Sequence, residues 1–371
     1  MHAVIFSSWV LVAAAASLSA APSIRYLDKV FTNINVTSDI TYGSNLMPDG
    51  SPFTLKLDLY QPAGDTAKSR PLVMFMFGGG FAVGSKTDGD MVLLSQTFAK
   101  KGYVAASIQY RIDPALYSVK PPDLVARAAF RGMQDAKAAV RFLRAHKAEY
   151  KIDDSRIMVG GCSAGAALAL DLAYQDANEI PAAVDTNQLG GLEGNSGTPG
   201  ISSAVNGVIN NWGAIDSTWL NGNFPVISFA GTADPQVAYD SKGSQAGSAC
   251  IYRVLSRQKV FTVLRPFVGM GHGMGTGDPR YDTLLTMSGQ FAYDVLFKNP
   301  TTAAKPYSQA ASQSTLRPLS RSLVSFHGAL GAKAPLPGLG TIYVLDGRRI
   351  SRAQGDFHAG QNASGVFITG H

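Results

Sequence analysis

One serine in this sequence is well placed to act as a nucleophile. Ser163 is the middle residue of Gly-Cys-Ser-Ala-Gly at 161–165, which fits the pattern G-x-S-x-G. The apolar run Ile157–Gly160 precedes the pattern, and the helix-forming run Ala164–Leu172 follows it. In a strand–turn–helix context the glycines allow a sharp turn that leaves the serine Oγ exposed. We therefore expect Ser163 to attack a carbonyl carbon, the alternative being a glycine-rich turn with an incidental serine.

A histidine can serve as the general base for such a serine, and elimination selects one of the six present. His272 lies within Gly-Met-Gly-His-Gly at 269–273, after the last strong apolar run. The other five lie in the N-terminal segment, on a predicted helix upstream of the serine, or in the C-terminal tail: His2, His146, His327, His358 and His371. The alternative for His272 is an ordinary loop residue. The sequence favours His272 as the base.

A carboxylate that orients the histidine should follow a strand between the serine and the histidine in the chain. Asp234 does so, because it lies just after the apolar run at 225–230. Its carboxylate would accept a hydrogen bond from Nδ1–H of the histidine and fix the tautomer. Asp216 and Asp240 are the other candidates for this acid, and the alternative without a catalytic role is a solvated loop aspartate. The sequence favours Asp234.

The segment Phe-Gly-Gly-Gly-Phe at 77–81 follows another apolar run and can supply backbone N–H groups. A tetrahedral oxyanion needs donors that are already in place, and glycines let the backbone approach closely. We expect the N–H groups of Gly79, Gly80 and Ala164 to form this oxyanion hole. A phosphate loop is disfavoured, because no Lys-Ser/Thr pair follows the glycines and no G-x-G-x-x-G pattern opens a helix.

Two aromatic residues are candidates for the walls of a substrate pocket. Phe81 adjoins the glycine turn, and Trp212 follows the apolar run at 205–210, where ligands collect in open α/β sheets. Ordinary packing explains each residue equally well. No H-E-x-x-H motif and no cysteine pair at zinc spacing occurs in the sequence, so we expect no metal and no cofactor.

Short apolar runs alternate with amphipathic segments along most of the chain. The runs predict strands near 72–77, 103–109, 157–161, 205–210, 225–230 and 260–267. The segments between them predict helices near 122–150, 164–175, 243–257 and 280–297. Residues 24–60 alternate apolar and polar positions, which is typical of antiparallel strands at a sheet edge. The pattern predicts an α/β fold with a mostly parallel central sheet flanked by helices.

Composition and charge restrict the class of protein. Of 371 residues, 46% are hydrophobic and 16% charged, which excludes an intrinsically disordered chain. The formal net charge is +6, but seven Lys and Arg residues against two Asp lie in 300–371. The main body therefore has no basic stripe, and we expect no nucleic acid partner. No apolar run reaches the roughly 18 to 20 residues that cross a membrane.

Four segments are predicted along the chain. Residues 1–20 have the apolar stretch and small residues of a secretory signal peptide, the alternative being a buried strand or helix. A catalytic domain spans 21–299, a Ser- and Ala-rich linker 300–325, and a small β module with a hairpin at Asp346-Gly347 covers 326–371. The sequence leaves open a disulfide between Cys162 and Cys250, and we favour two free buried thiols.

Residues about 50–298 resemble serine carboxylesterases of the α/β-hydrolase superfamily. They are closest to hormone-sensitive-lipase-like esterases and to bacterial feruloyl or acetyl xylan esterases. The resemblance rests on FGGGF at 77–81, QYR at 109–111, QDAKAAVRFLRAH at 134–146, IDDSRIMVGGCSAGAALA at 152–169, GTADPQV at 231–237 and GMGHG at 269–273. Phe77 departs from the family's usual histidine, and Cys162 from its usual acidic residue. The resemblance implies a Ser-His-Asp esterase, acting on short-chain, acetyl or feruloyl esters that include polysaccharide decorations.

The tail at 341–370 is similar to C-terminal sorting modules of the type IX secretion pathway. The segments that carry the similarity are TIYVLDGRRI at 341–350 and GVFITG at 365–370. The similarity implies a diderm bacterium, export to the surface or medium, and the secretion machinery as a partner. A structural or carbohydrate-facing β appendage is the alternative. For the whole chain, a non-catalytic adhesion module and a secreted serine peptidase remain alternatives to an esterase.

Overall fold

The structure, a computed structural model, describes residues 23–298 and the strand residues 342–346, 349–352 and 366–368. The chain divides into two units, residues 1–309 and residues 310–371. The predicted signal peptide at 1–20 and the predicted linker at 300–325 lie outside the described residues.

Most strands of the first unit belong to one eight-stranded sheet. The strands of this unit are β1 (Ile34–Leu46), β2 (Pro52–Pro62), β3 (Arg70–Met76), β4 (Val104–Ile108), β5 (Ile152–Cys162), β6 (Gly207–Asn211), β7 (Ile215–Asp216), β8 (Val226–Gly231), β9 (Ser241–Lys242), β10 (Gln245–Ala246) and β11 (Thr262–Phe267). The large sheet has the order β1-β2-β4-β3-β5-β6-β8-β11. Its β1–β2 and β2–β4 pairs are antiparallel, and the other pairs are parallel. The predicted mostly parallel sheet with an antiparallel edge is confirmed.

Helices connect the parallel strands and flank the sheet. They are α1 (Gly89–Lys101), α2 (Pro122–Ala145), α3 (Lys147–Tyr150), α4 (Ala164–Tyr174), α5 (Thr186–Leu189), α6 (Ser248–Arg257) and α7 (Arg280–Tyr293). Helices α2 and α4 pack together where Gly132 meets Leu168, and α1 packs on α7 where Lys101 meets Gly289. None of the helices in the described part of the chain is long and apolar enough to span a membrane.

Two helix boundaries differ from the sequence prediction. The helix predicted at 122–150 ends at Ala145, because the backbone leaves the helical region at His146 before the short α3 begins. The helix predicted at 243–257 begins only at Ser248, because β9 and β10 form a hairpin around Gly243, whose φ is +61°. In both cases a local backbone turn overrides a continuous apolar pattern.

Strand β2, which lies between β1 and β4, is more deeply buried than its alternating pattern predicts. Leu55, Leu57 and Leu59 face the core as expected. Asp58, which the alternation predicts to be exposed, is only 3% exposed. Its carboxylate accepts a hydrogen bond from Lys86 Nζ at 2.6 Å, so the charge is paired beneath the loop before α1. A buried charge is tolerated when it is paired in this way.

The described residues of the second unit form three short strands, β12 (Ile342–Asp346), β13 (Arg349–Arg352) and β14 (Val366–Ile368). Strand β12 lies in the middle and pairs antiparallel with both neighbours. In the β12–β13 pair, Asp346 is in register with Arg349, so the two strands meet where the sequence predicts a hairpin turn.

The topology decides where functional side chains can meet. Strands β3, β5, β6, β8 and β11 are parallel neighbours, so their carboxyl ends lie along one edge of the sheet. Each candidate site segment follows the carboxyl end of one of these strands in the sequence: the glycine turn follows β3, Ser163 follows β5, Trp212 follows β6, Asp234 follows β8 and His272 follows β11. Ligands of open α/β sheets bind at this edge.

Candidate active site

Ser163 lies at the turn between β5 and α4 in a conformation that most residues avoid. Its φ is 52° and its ψ is −117°. Such a backbone persists only when its surroundings hold it. The Ser163 N–H donates to the Asn211 carbonyl at 2.9 Å, and its carbonyl accepts from Ala167 N–H at 3.0 Å. This sharp turn at Ser163, the elbow, is therefore held by hydrogen bonds to both β6 and the first turn of α4.

Glycines on either side of the serine are required by the close approach of β3. A Cβ on Gly161 or on Gly165 would overlap the Met76 carbonyl oxygen. A Cβ on Gly78 would lie 3.1 Å from the Cys162 carbonyl oxygen, which is tighter than ordinary packing. The end of β3 and the elbow thus pack backbone against backbone. This packing brings the glycine turn next to the serine.

The structure brings Ser163, His272 and Asp234 into one hydrogen-bonded chain. Ser163 Oγ lies 2.8 Å from His272 Nε2. His272 Nδ1 lies 2.7 Å from Asp234 Oδ2. With Nδ1–H donating to the carboxylate, Nε2 is left to accept the serine proton. The geometry is that of a nucleophile, a general base and an orienting acid.

The Asp234 carboxylate is fixed by backbone donors as well as by the histidine. Its Oδ1 accepts from Gln236 N–H at 2.8 Å and from Val237 N–H at 3.0 Å. The side chain is 1% exposed, and that of His272 is 12% exposed. A carboxylate whose two oxygens are both bound has little freedom to rotate away. The imidazole is therefore held in one orientation.

The two competing aspartates lie elsewhere. Asp216 Oδ1 accepts from the Thr218 backbone N–H at 2.9 Å and caps the short helical turn Ser217–Trp219. Asp240 pairs with Arg253 at 2.7 Å on the surface. Neither carboxylate contacts His272. The geometry selects Asp234 among the three.

The glycine turn has the backbone that an oxyanion hole requires. Gly79 has φ +108° and Gly80 has φ +63°, both in the region that favours glycine. The Gly79 carbonyl accepts from Ala82 N–H at 3.1 Å and from Val83 N–H at 3.2 Å, which closes the turn. Ala164 begins α4 directly after the serine. Within the described residues, no oxygen accepts a hydrogen bond from the N–H groups of Gly79, Gly80 or Ala164.

A cavity of about 630 Å³ opens above these residues. The glycine turn, Ser163, His272 and Trp212 line it. Trp212 adopts φ 49°, donates its N–H to the Phe229 carbonyl at 2.7 Å, and packs against Gly273. The volume falls within the range of small-ligand sites.

Phe81 is placed differently from Trp212. Its side chain is 9% exposed and belongs to the hydrophobic core, and it does not line the cavity. Its carbonyl instead accepts from Asp113 N–H at 2.7 Å. The expectation that Phe81 forms a substrate wall is therefore replaced by a supporting position behind the glycine turn.

Sequence reasoning missed the segment that forms the opposite wall. Leu116, Tyr117 and Lys120 line the cavity from the loop before α2, and Met274 lines it after the histidine. Tyr117 is 77% exposed, which is unusual for a large aromatic side chain. The sequence feature that could have identified this segment is its position after the carboxyl end of β4, because β4 pairs with β3, the strand that leads into the glycine turn.

The thiol of Cys162, next to Ser163, is buried. Burial raises the pKa of Cys162 well above its ordinary value, so the group stays a neutral thiol. Asn211 Nδ2 donates to its sulfur at 3.6 Å. Cys162 and Cys250 are both buried and unpaired. Within the described residues, no group of three or more His, Cys, Asp or Glu side chains could hold a metal ion.

Comparisons with known proteins find related esterases. Residues 57–237, just under half of the chain, match the BD-FAE family model. A probable isoprenylcysteine alpha-carbonyl methylesterase ICMEL1 of Arabidopsis thaliana is 35% identical over 114 residues, 31% of this chain and 21% of that protein. Esterase LipC of Mycobacterium tuberculosis is 31% identical over 138 residues, 35% of this chain and 31% of LipC. The chain spans less than a third of the length of the curated relatives it matches.

Solved structures extend the similarity over the fold. Esterase 2 of Thermogutta terrifontis, in a structure phosphorylated by paraoxon, is 25% identical with a TM-score of 0.53. The match covers 76% of this chain and 100% of that one. The fold is that of an α/β-hydrolase, and the curated relatives that match parts of the chain carry esterase names.

Proposed function

We propose that this protein hydrolyses carboxylic esters through an acyl-enzyme formed on Ser163. The observation that carries the proposal is the hydrogen-bonded chain from Ser163 Oγ through His272 to Asp234, with distances of 2.8 and 2.7 Å. A fold used only for binding or adhesion has no need to keep these three groups aligned. The esterase names of the relatives also support the proposal.

The reaction proceeds in two halves with the same groups. Ser163 Oγ attacks the ester carbonyl carbon while His272 Nε2 takes the serine proton. The imidazolium that forms is stabilised by the Asp234 carboxylate at Nδ1. The tetrahedral intermediate collapses as His272 returns the proton to the leaving alcohol. Water then attacks the acyl-enzyme with His272 again as the base, and the acid is released.

The negative charge on the carbonyl oxygen must be stabilised in both halves. The N–H groups of Gly79, Gly80 and Ala164 are the proposed donors, because no described oxygen accepts from them. Donors that are in place before the reaction cost no reorganisation as the charge develops. Loss of one such donor lowers kcat by about 10²–10³-fold in comparable sites.

Short-chain, acetyl or feruloyl esters, including ester decorations on polysaccharides, are the proposed substrates. A cavity of about 630 Å³ accommodates a small acyl or aryl group beside Trp212. The proposal predicts hydrolysis of 4-nitrophenyl acetate and butyrate in preference to the octanoate. Methyl ferulate and acetylated xylan separate the two decoration types. Faster turnover of peptide anilides than of all these esters would favour a peptidase and contradict the proposal.

The assignment of the nucleophile is tested with two variants and one covalent reagent. Ser163→Ala should lower kcat by about 10⁶-fold, whereas Ser44→Ala, at an exposed serine of β1, should change it less than about twofold. Paraoxon should phosphorylate the peptide that contains Ser163, and mass spectrometry after proteolysis locates the adduct. Retention of more than a few per cent of the activity in Ser163→Ala, or an adduct at another serine, would refute the assignment.

Export is part of the proposal and is supported by the sequence alone. The apolar stretch at 3–18 followed by Ser19, Ala20 and Ala21 has the pattern of a cleaved secretory signal. N-terminal sequencing of the protein from a diderm host should find processing near residues 19–21. Deletion of 326–371 tests the proposed sorting role of the tail, because it should retain the protein inside the cell. An unprocessed chain, or unchanged release after the deletion, would contradict these two roles.

A further inference from the structure

A lysine stands in the wall of the catalytic cavity beside the glycine turn. Lys120 lines the same cavity as Ser163 and His272. A Cβ built on Gly80 would lie 3.8 Å from Lys120 Nζ. Standard bond lengths and one hydrogen bond then place the ammonium no more than about 9 Å from an oxyanion held by the Gly80 N–H. The charge is therefore within reach of groups attached near a scissile ester.

The segment that carries Lys120 is held in place by its own contacts. Asp113 donates its N–H to the Phe81 carbonyl at 2.7 Å, and its carboxylate pairs with Arg131 at 2.8 Å. Leu116 is fully buried, and Pro121 and Pro122 lead directly into α2. Proline restricts the backbone on both sides of this junction. The wall is thus built on fixed supports, although the Lys120 side chain itself is exposed.

The ammonium of Lys120 has no anionic partner among the carboxylates that the structure describes. The cavity wall also holds the carboxyl group of Asp90, which accepts from Met91 N–H at 2.9 Å and interacts with the Cys162 thiol. Around the mouth, Val83 and Tyr117 are 45% and 77% exposed. An apolar and aromatic rim with one unpaired cation suits a substrate that carries a ring or chain and one negative charge.

We propose that Lys120 binds a carboxylate of the substrate and makes the enzyme select esters that bear this group close to the scissile bond. The inference rests on the proposed ester hydrolysis at Ser163. The carboxylate belongs either to the acyl part, as in a hemiester of a dicarboxylic acid, or to the alcohol part, as in an acylated hydroxy acid or acidic sugar. The chemistry of recognition is the same in both cases, a charge-assisted hydrogen bond from the ammonium.

The experiment compares matched esters that differ in one charge. Mono-4-nitrophenyl glutarate against 4-nitrophenyl pentanoate tests the acyl side, and 4-acetoxybenzoate against 4-acetoxybenzamide tests the alcohol side. The readout is the ratio of kcat/KM for the anionic ester to that for the neutral ester. Lys120→Gln should lower this ratio about tenfold for at least one pair, because a hydrogen bond to a charged group is lost. The pair that responds identifies the side of the ester that carries the carboxylate.

Two further variants separate recognition from a general effect of charge or folding. Lys120→Arg should keep most of the wild-type ratio, because the positive charge is retained. Lys68→Gln removes an exposed lysine of the β2–β3 loop that does not line the cavity, and should leave the ratio unchanged. Raising the salt to 1 M should reduce the wild-type preference, because the screening length falls to about 3 Å.

The outcomes distinguish the two proposals. Ester hydrolysis that depends on Ser163, with the same ratio in wild type and Lys120→Gln for both pairs, would overturn the role of Lys120 and leave the proposed function standing. An equal fall in the ratio for Lys68→Gln would overturn it as well. Absence of any turnover by folded wild-type protein would refute the proposed function and, with it, the selection of anionic esters.

Discussion

Tyr110 holds Phe77 through both its ring and its hydroxyl. The two rings stack with centroids 4.1 Å apart and planes 12° from parallel. The Tyr110 hydroxyl donates to the Phe77 carbonyl at 2.9 Å. Phe77 is fully buried and begins the glycine turn of the proposed oxyanion hole, where the sequence resemblance leads us to expect a histidine. Packing and one hydrogen bond from β4's end thus support the turn in this protein.

Tyr110→Phe should weaken both stability and catalysis. The variant keeps the stacked ring but leaves the buried Phe77 carbonyl without this donor, which should cost about 1–3 kcal/mol in the free energy of unfolding. The glycine turn that follows Phe77 should also lose precision, so kcat should fall several-fold. Urea denaturation and steady-state kinetics on 4-nitrophenyl acetate measure the two effects.

Tyr42→Phe is the matched control for this prediction. Tyr42 is also buried, and its hydroxyl donates to the Gln109 carbonyl at 2.7 Å, away from the cavity. It should lose comparable stability while kcat stays within about twofold of wild type. Equal losses of kcat in the two variants would show that Tyr110 has no particular role at the turn.

Much of the fold was predictable because its strands have distinct patterns. The run at 72–77 is apolar throughout, since β3 is covered on both faces and every residue of Arg70–Met76 is buried. Asp58 was not predictable, because its burial depends on Lys86, which arrives from another part of the chain. The start of α6 was missed because the β9–β10 hairpin pairs with β7, a contact that no local pattern encodes.

Some residues of the candidate site could also be identified from the sequence, and others could not. The sequence favoured Ser163 by its motif, His272 by elimination and Asp234 by its position after a strand, and the structure brings the three side chains together. Phe81 and Trp212 looked equivalent in sequence, yet one is packed behind the turn and the other lines the cavity. The direction of each side chain depends on its backbone, and both have positive φ values that the sequence does not reveal. Lys120 was missed because its importance comes from its position beside Gly80.

Asp234→Asn should lower kcat by about 10⁴-fold, because an amide at this position no longer stabilises the imidazolium or fixes its tautomer. The variant should fold, since Oδ1 can still accept from Gln236 and Val237 N–H groups. The decrease should appear in kcat with little change in KM, because the carboxylate does not line the cavity. Steady-state kinetics on 4-nitrophenyl acetate provide the measurement.

The two aspartates that competed in the sequence are the natural controls for this experiment. Asp240→Asn breaks a surface pair with Arg253, and Asp216→Asn alters the cap at Thr218 and removes a charge near Asp171, away from the cavity. Both should leave kcat within about threefold of wild type. A loss of 10³-fold or more in either variant, or a loss below tenfold in Asp234→Asn, would assign the acid elsewhere.

Asp171 in α4 should make stability depend on pH. Burial, with a smaller contribution from the Asp216 charge, raises the pKa of the Asp171 carboxyl to about 8. In the unfolded chain the same carboxyl has a pKa of about 3.9. Between these values the native protein holds a proton that the unfolded chain releases, so the stability that Asp171 contributes is complete below about pH 4 and is lost as the pH rises to about 8.

Asp171→Asn removes this titration while keeping the shape of the side chain. The difference in unfolding free energy between the variant and the wild type should therefore move in favour of the variant by about 1 kcal/mol per pH unit from pH 5 to pH 7. Urea denaturation of both proteins at pH 5, 6, 7 and 8 measures that difference, in which the titrations common to both cancel. The change should level off above pH 8, where the wild-type carboxyl is ionised in both states. A difference that stays constant from pH 5 to pH 8 would mean that Asp171 is already ionised in the native protein.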